Sequence, residues 1–137
     1  MIPLFKLERL PAGQRRRKLV KLLTEWERRL YELLSSLQAS VSSKSDYSHI
    51  HAEDILPESE IAWILGLVRL VLEDGAIQRE SITAADLTLV SIPPAAFGTV
   101  SAPAILRLCN HARHALVHAT GTLPADWDFV HPVTGLP

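Results

Sequence analysis

Residues 19–37 read LVKLLTEWERRLYELLSSL, and their apolar positions recur every three or four residues. At about 100° per residue these positions fall on one side of a helix, which predicts an amphipathic α-helix of about 25 residues. Pro11 and Gly13 mark its start. The Ser-rich stretch from Gln38 to Ser48 ends it, because short hydroxyl side chains compete for backbone hydrogen bonds. The apolar stripe consists of Leu19, Leu22, Leu23, Trp26, Leu30, Leu33, Leu34 and Leu37.

Two further helices are predicted downstream. The first begins near Pro57, has an apolar body from Ile61 to Leu72 that must be buried on nearly all sides, and ends before Gly75, a candidate left-handed cap. The second runs from about Ala102 to Thr120, with Ser101 as its N-cap.

The segment from Ser81 to Phe97 is consistent with two structures. Thr83, with Asp86 three residues on, is a capping pattern that favours a short helix to about Val90. Residues 87–92 also alternate in polarity like a strand. We predict the helix.

The chain length of 137 residues and the hydrophobic content of 47% suit one domain with a substantial core. We therefore expect an all-α protein: a small helical bundle over residues 1–121, with a flexible Ser-rich loop at about 38–55. Residues 122–137 are expected to form an irregular tail or linker, and they read like a linker cut before a further domain.

Composition narrows the classes of function. The single cysteine, Cys109, excludes a disulfide framework and lies on the apolar face of the 102–120 helix, which predicts a buried thiol rather than a nucleophile. No signal peptide is visible, and the longest apolar run, 61–72, is too short to span a bilayer, so a cytoplasmic location without membrane contact is expected. The chain has no glycine-rich phosphate loop, nucleophile elbow or His-Glu-x-x-His motif, so no catalytic residue is assigned.

Charge is distributed unevenly along the chain. Residues 1–30 hold nine Lys or Arg against three Glu, whereas the remainder holds five basic and twelve acidic residues. This asymmetry predicts either an anionic partner for the N-terminal region or attraction between the two halves. The densest cations are candidates for RNA phosphate contacts: Arg15, Arg16, Arg17, Lys18 and Lys21. The alternative is a solvated helix face with surface pairs such as Lys21–Glu25.

The 102–120 helix also carries a polar stripe of Arg107, His111, His114 and His118. This stripe is either an exposed polar edge or a contact surface for RNA or a partner. Three imidazoles also suit zinc or copper, but three ligands from one straight helix fit a tetrahedral ion poorly, and no carboxylate or cysteine is expected nearby. We therefore predict no metal site. Asp126 and Asp128, which flank Trp127, are expected to serve a turn rather than catalysis.

Two segments resemble a known family. LRLCNHARHAL, residues 106–116, followed by GTLPADWDF, residues 121–129, resembles the segment just before the catalytic domain in bacterial SpoU/TrmH-type RNA methyltransferases of the knotted SPOUT superfamily. The opening residues Ile2-Pro3-Leu4, Leu7 and then 10–15 are similar to the start of the same proteins. The resemblance implies a helical N-terminal extension to a knotted domain that binds S-adenosylmethionine and methylates a ribose 2′-hydroxyl.

The hallmark motifs of that knotted domain do not occur in these 137 residues, so the resemblance assigns no catalytic or cofactor residue here. No cofactor is expected to bind this chain. S-adenosylmethionine is expected only if a downstream catalytic domain exists. We predict an accessory or substrate-binding domain for RNA (rRNA or tRNA), with a separate or downstream methyltransferase domain as partner. The alternative is a protein-interaction module that forms a homo-oligomer or docks on a partner through the leucine stripe of residues 19–37. A weaker third hypothesis is a metal-responsive protein that uses the three histidines.

Overall fold

A computed structural model describes residues 2–40, 50–77 and 82–120 of the chain. These residues form helices and contain no β-strand, only an isolated bridge between His51 and Ser101, which confirms the all-α prediction. The expectations for the tail 122–137, with its aspartates, lie outside the described residues. The α-helices are α1 (Leu4–Glu8), α2 (Ala12–Ser40), α3 (Glu58–Leu72), α4 (Ala84–Val90) and α5 (Ala102–Thr120), and 3₁₀ helices occupy Ala52–Asp54 and Pro94–Thr99.

The long helix α2 confirms the amphipathic helix predicted from its leucines. Its stripe packs mainly on α5, and Leu19, Leu23, Leu30 and Leu34 are fully buried there. Burial of this stripe drives the pairing of the two helices, because apolar area removed from water stabilises the fold by about 25 cal/mol per Å². The helix continues through the first serines to Ser40, a few residues further than predicted, since the propensity cost of serine is small.

Helix α3 lies at the centre of the bundle and contacts all the other α-helices. Its apolar body is buried on nearly every side, as predicted. Gly75 does not adopt the predicted left-handed conformation, so that prediction is wrong. The helix instead ends on Glu73 in a right-handed conformation, and the Asp74 carboxylate accepts a hydrogen bond from the Ala76 N–H at 2.9 Å.

The short helix α1 is seated on α3 at a glycine. A Cβ atom added to Gly66 would overlap Cδ1 of Leu4 and lie 3.2 Å from its Cδ2, so α1 packs in the space that a side chain at position 66 would need. The indole N–H of Trp63 donates to the carbonyl oxygen of Ile2 at 2.8 Å. These two contacts fix the N-terminal segment against the bundle.

Helix α4 has the predicted cap. The Thr83 hydroxyl accepts a hydrogen bond from the Asp86 N–H at 3.2 Å and lies 2.7 Å from Oδ2 of Asp86. The segment is therefore a helix, and the alternative strand is not formed.

The prediction of a flexible loop at about 38–55 is wrong at its C-terminal end, where the residues from Ile50 onward belong to the ordered fold. The Ala52 N–H donates to Val100, and the Ala102 N–H donates to Ile50, both at 2.8 Å. Ile50 and Ala52 are buried, and this apolar burial outweighs the polar appearance of the surrounding sequence. Residues 41–49, the Ser-rich part of the loop, lie outside the described residues.

Candidate functional site

The members of the predicted basic cluster have different roles in the structure. Arg16 makes contacts within the fold. Its guanidinium makes two hydrogen bonds to Asp74, from Nε to Oδ2 at 2.7 Å and from Nη2 to Oδ1 at 2.9 Å. The Asp74 side chain is almost fully buried. The attraction between the basic and acidic parts of the chain, one of the two interpretations of the charge asymmetry, is thus realised at this position.

This pair makes folding sensitive to acid. The Arg16 guanidinium, together with the Ala76 N–H, holds the pKa of Asp74 below its ordinary value. The unfolded state therefore takes up a proton first as the pH falls, so the pair stabilises the fold above the unfolded pKa of about 3.9. That stabilisation is lost as the pH falls from about 4 toward the lower folded pKa.

We expect Asp74→Asn to lower the free energy of unfolding at pH 7 and to flatten its decline between pH 5 and pH 3. Urea unfolding followed by circular dichroism at several pH values measures both effects. Glu73→Gln, a change of the same kind at the neighbouring position, should follow the wild-type pH profile. Equal acid sensitivity of wild type and Asp74→Asn would contradict the assignment.

Arg15 also contacts the chain itself. Its Nη1 atom donates to the carbonyl oxygens of Glu8 and Leu10, each at 3.3 Å. These bonds tie the start of α2 to the end of α1. Arg15 and Arg16 therefore have structural roles, although both belong to the predicted RNA-binding set.

The remaining cations of the cluster form the α2 cationic strip, which we define as Arg17, Lys18 and Lys21. Arg17 and Lys21 are exposed, and Lys18 is half-buried. Within the described part of the chain, none of the three side chains makes an ion pair or a hydrogen bond. The predicted surface pair between Lys21 and Glu25 is not formed, so the strip retains its positive charge.

Lys18 borders a cleft of about 350 Å³ that contains two tryptophans, which we call the tryptophan cleft. The rings of Trp26 and Trp63 lie 6.0 Å apart between centroids and are tilted by 55°. Arg29 places its guanidinium 4.9 Å from the Trp26 ring centroid and 3.6 Å from Glu60. The sequence placed Trp26 and Trp63 on separate helices and did not predict that they meet beside the cations.

The three histidines of the α5 stripe meet at a second, larger cleft of about 650 Å³, which we call the histidine cleft. His111, His114 and His118 line it together with Thr83, the cap of α4. Nδ1 of His111 lies 2.6 Å from Oδ2 of Asp86. The expectation that no carboxylate lies near these histidines is therefore wrong, because the fold brings Asp86 of α4 against α5.

The other two histidines of the cleft contact each other. Nδ1 of His114 lies 3.5 Å from Nε2 of His118, and the ring centroids are 5.5 Å apart. Arg107, the fourth member of the predicted stripe, is exposed on α5 and does not line the cleft. Across the described ranges, no group of three or more His, Cys, Asp or Glu side chains is arranged to hold a metal ion.

A buried polar cluster joins α2 to α5 in the core. Nη2 of Arg113 lies 3.1 Å from Oε2 of Glu27, and both side chains are at most 1% exposed. The neighbouring Asn110 is fully buried, and neither polar atom of its side chain has a hydrogen-bond partner among the described residues. Cys109 is fully buried, as predicted, and this burial, with the nearby Glu27 charge, raises the pKa of its thiol above its ordinary value.

The buried pair has a signature in the sequence, although it was not predicted. Glu27 lies four residues after Leu23 and seven before Leu34, so helical geometry places it within the apolar stripe. On α5, Arg113 lies four residues after Cys109 and three before Leu116. A charge inside each of two apolar stripes indicates a buried ion pair between them.

None of the helices in the described part of the chain is long and apolar enough to cross a membrane. Comparisons of the chain with protein-family models, curated proteins and solved structures find no match. The function must therefore be inferred from the α2 cationic strip with its tryptophan cleft and from the histidine cleft.

Proposed function

We propose that this domain binds RNA and serves as a non-catalytic accessory domain of an RNA 2′-O-ribose methyltransferase. In this proposal the domain holds the RNA, rRNA or tRNA, while a separate or downstream methyltransferase domain binds S-adenosylmethionine and carries out the chemistry. The resemblance of residues 106–116 and of the opening residues to SpoU-type enzymes supports the link to methylation. The surface of α2 supports the link to RNA.

The observation that carries the RNA proposal is the α2 cationic strip. Arg17 and Lys21 are one helical turn apart, about 6 Å along the axis, so both side chains emerge from one face. Their charges are not neutralised within the described part of the chain, in contrast to Arg16 with Asp74 and Arg113 with Glu27. Cations arranged in this way bind phosphates by releasing condensed counterions.

The tryptophan cleft beside the strip adds an apolar surface to the cationic one. Lys18 and Arg29 both line this cleft, together with Trp26 and Trp63. Both indole side chains are buried, so the cleft adds cationic and apolar surface at its rim rather than an exposed ring face on which a base could stack.

We expect Arg17→Gln with Lys21→Gln to weaken RNA binding about tenfold at low salt. The loss should be similar for different sequences, since phosphate contacts carry no base information. The slope of log K against log salt should become shallower by about 1.4, because each lost phosphate contact of a single strand contributes about 0.7. Fluorescence anisotropy with a labelled unstructured RNA, from about 50 to 200 mM salt, measures both quantities.

The matched control is Lys6→Gln with Arg69→Gln, which removes the same charge from exposed positions of α1 and α3; Arg69 also donates to the Val90 carbonyl oxygen at 3.4 Å, so the fold of this variant is checked by circular dichroism. This variant should retain nearly wild-type affinity if local contacts, rather than net charge, govern binding. Absence of RNA binding by the wild-type chain at about 50 mM salt, where phosphate contacts are strongest, would refute the RNA proposal. The methyltransferase part is tested separately by whether the same or an adjacent reading frame encodes a knotted methyltransferase domain.

The alternative of a protein-interaction module needs a different surface from the one predicted. Most of the leucine stripe of α2 is buried within the same chain, mainly against α5, and only Leu37 of the stripe is exposed. A chain that is a stable dimer in size-exclusion chromatography and indifferent to RNA would favour this alternative.

A further inference from the structure

We propose that His114 and His118 chelate a divalent transition-metal ion, Zn²⁺ in the first instance, in the histidine cleft. The proposal concerns α5 and is independent of RNA binding by α2. It differs from a site built from all three histidines, because only two imidazole nitrogens are brought together.

The spacing of the two nitrogens is the first support. Nδ1 of His114 and Nε2 of His118 lie 3.5 Å apart. Two imidazole nitrogens bound to one tetrahedral zinc ion, at about 2.0–2.1 Å each, lie roughly 3.3–3.4 Å apart. The observed distance is within about 0.2 Å of that value, so both nitrogens can bind one ion with only a small side-chain adjustment.

The same distance is long for a direct hydrogen bond between the rings. An N–H group and its acceptor usually lie about 2.7–3.2 Å apart, and the interaction weakens rapidly beyond that range. The pair is therefore poorly explained as an optimised imidazole–imidazole bond. A neutral imidazole can present either of its nitrogens as a ligand, so the pairing of Nδ1 with Nε2 is compatible with chelation.

The position of the pair on the helix is the second support. His114 and His118 are four residues apart on α5, so their side chains emerge one above the other from one face. A rigid helix holds both ligands in place before the metal arrives, which lowers the entropy cost of binding. Both rings line a cleft of about 650 Å³, which has room for the water molecules or the anionic group that would complete the coordination shell.

A carboxylate lies behind one wall of the cleft. Asp86 contacts both Thr83 and His111, and these two residues line the cleft. The Asp86 carboxylate therefore lies one residue layer away from the cleft in which the ion would bind. Imidazole ligands suit Zn²⁺ and Cu²⁺ rather than Mg²⁺ or Ca²⁺, which prefer oxygen ligands alone.

The proposal is tested by isothermal titration of the untagged 137-residue chain with zinc chloride after treatment with a chelator. We expect one saturable site per chain. His114→Ala and His118→Ala should each weaken zinc binding at least tenfold, while retaining the wild-type circular dichroism spectrum. In a second measurement, zinc at about 100 times its Kd should raise the Tm of the wild type by several degrees and leave the Tm of His118→Ala unchanged.

His51→Ala is the matched control. His51 is exposed and pairs with Ser101 at the start of α5, about 20 Å along the helix from the proposed site. Zinc binding should be the same in this variant as in the wild type. The proposal is overturned if the wild type shows no saturable zinc binding, or if His118→Ala binds zinc as tightly as His51→Ala does.

Discussion

Replacing Arg113 with methionine is expected to lower the free energy of unfolding by about 3–5 kcal/mol, the range found when one partner of a buried ion pair is removed. The Glu27 carboxylate is fully buried, and the Arg113 guanidinium faces it at 3.1 Å. Without the guanidinium the carboxylate must be accommodated in the core with less compensation for its lost hydration. Urea unfolding monitored by circular dichroism at pH 7 measures the loss.

Two further variants sharpen this test. The double variant Glu27→Leu with Arg113→Met replaces the pair by apolar side chains of similar size, and we expect it to recover most of the lost stability. Arg107→Met, at an exposed position of the same helix, should change stability by less than about 0.5 kcal/mol. If the free energy of unfolding of Arg113→Met lies within about 1 kcal/mol of the wild-type value, the prediction is contradicted, and the ion pair contributes little to stability.

The second large effect has the opposite sign. Asn110→Leu is expected to raise the free energy of unfolding by about 1–2 kcal/mol, because an apolar side chain of similar size replaces a buried amide. The Asn110 side chain is fully buried, and its Oδ1 and Nδ2 atoms have no hydrogen-bond partner in the described ranges. Thermal and urea unfolding of the two proteins give the difference.

Asn110→Ala separates the two contributions. It removes the same amide but leaves a void, so it should be clearly less stable than the leucine variant. A leucine variant that is less stable than the wild type by more than about 1 kcal/mol would contradict the prediction. Such a result would indicate that the amide is hydrogen-bonded in solution, for example to a buried water molecule.

Periodicity was enough to predict α2, α3 and α5, whereas α4 was predicted from its capping pattern, and α1 and the two 3₁₀ helices were not predicted. The spacing of leucines in α2 and the apolar body of α3 follow directly from 3.6 residues per turn, and the caps Thr83 and Ser101 were identifiable because capping is local chemistry. Gly75 was assigned wrongly from the sequence, because the helix ends on Glu73 in a right-handed conformation and the chain then turns at Asp74, whose carboxylate accepts from the Ala76 N–H.

The pairings that shape the candidate sites were not predictable in the same way. Arg16 and Asp74 are 58 residues apart, and His111 and Asp86 are 25 residues apart. Contacts between helices depend on their relative rotation and register, which the pattern within one helix does not determine. The sequence therefore predicts a basic cluster and a histidine stripe. It does not predict which of their side chains form contacts within the protein.

The packing of α1 against α3 limits which residues can occupy positions 4 and 66. Glycine within a helix is less stable than alanine by about 1 kcal/mol, so Gly→Ala is usually a stabilising exchange in such a position. At Gly66 the added methyl group would require the Leu4 side chain to move, which offsets part of that gain. Positions 4 and 66 are consequently coupled in size, and relatives with a larger residue at 66 should have a smaller one at 4.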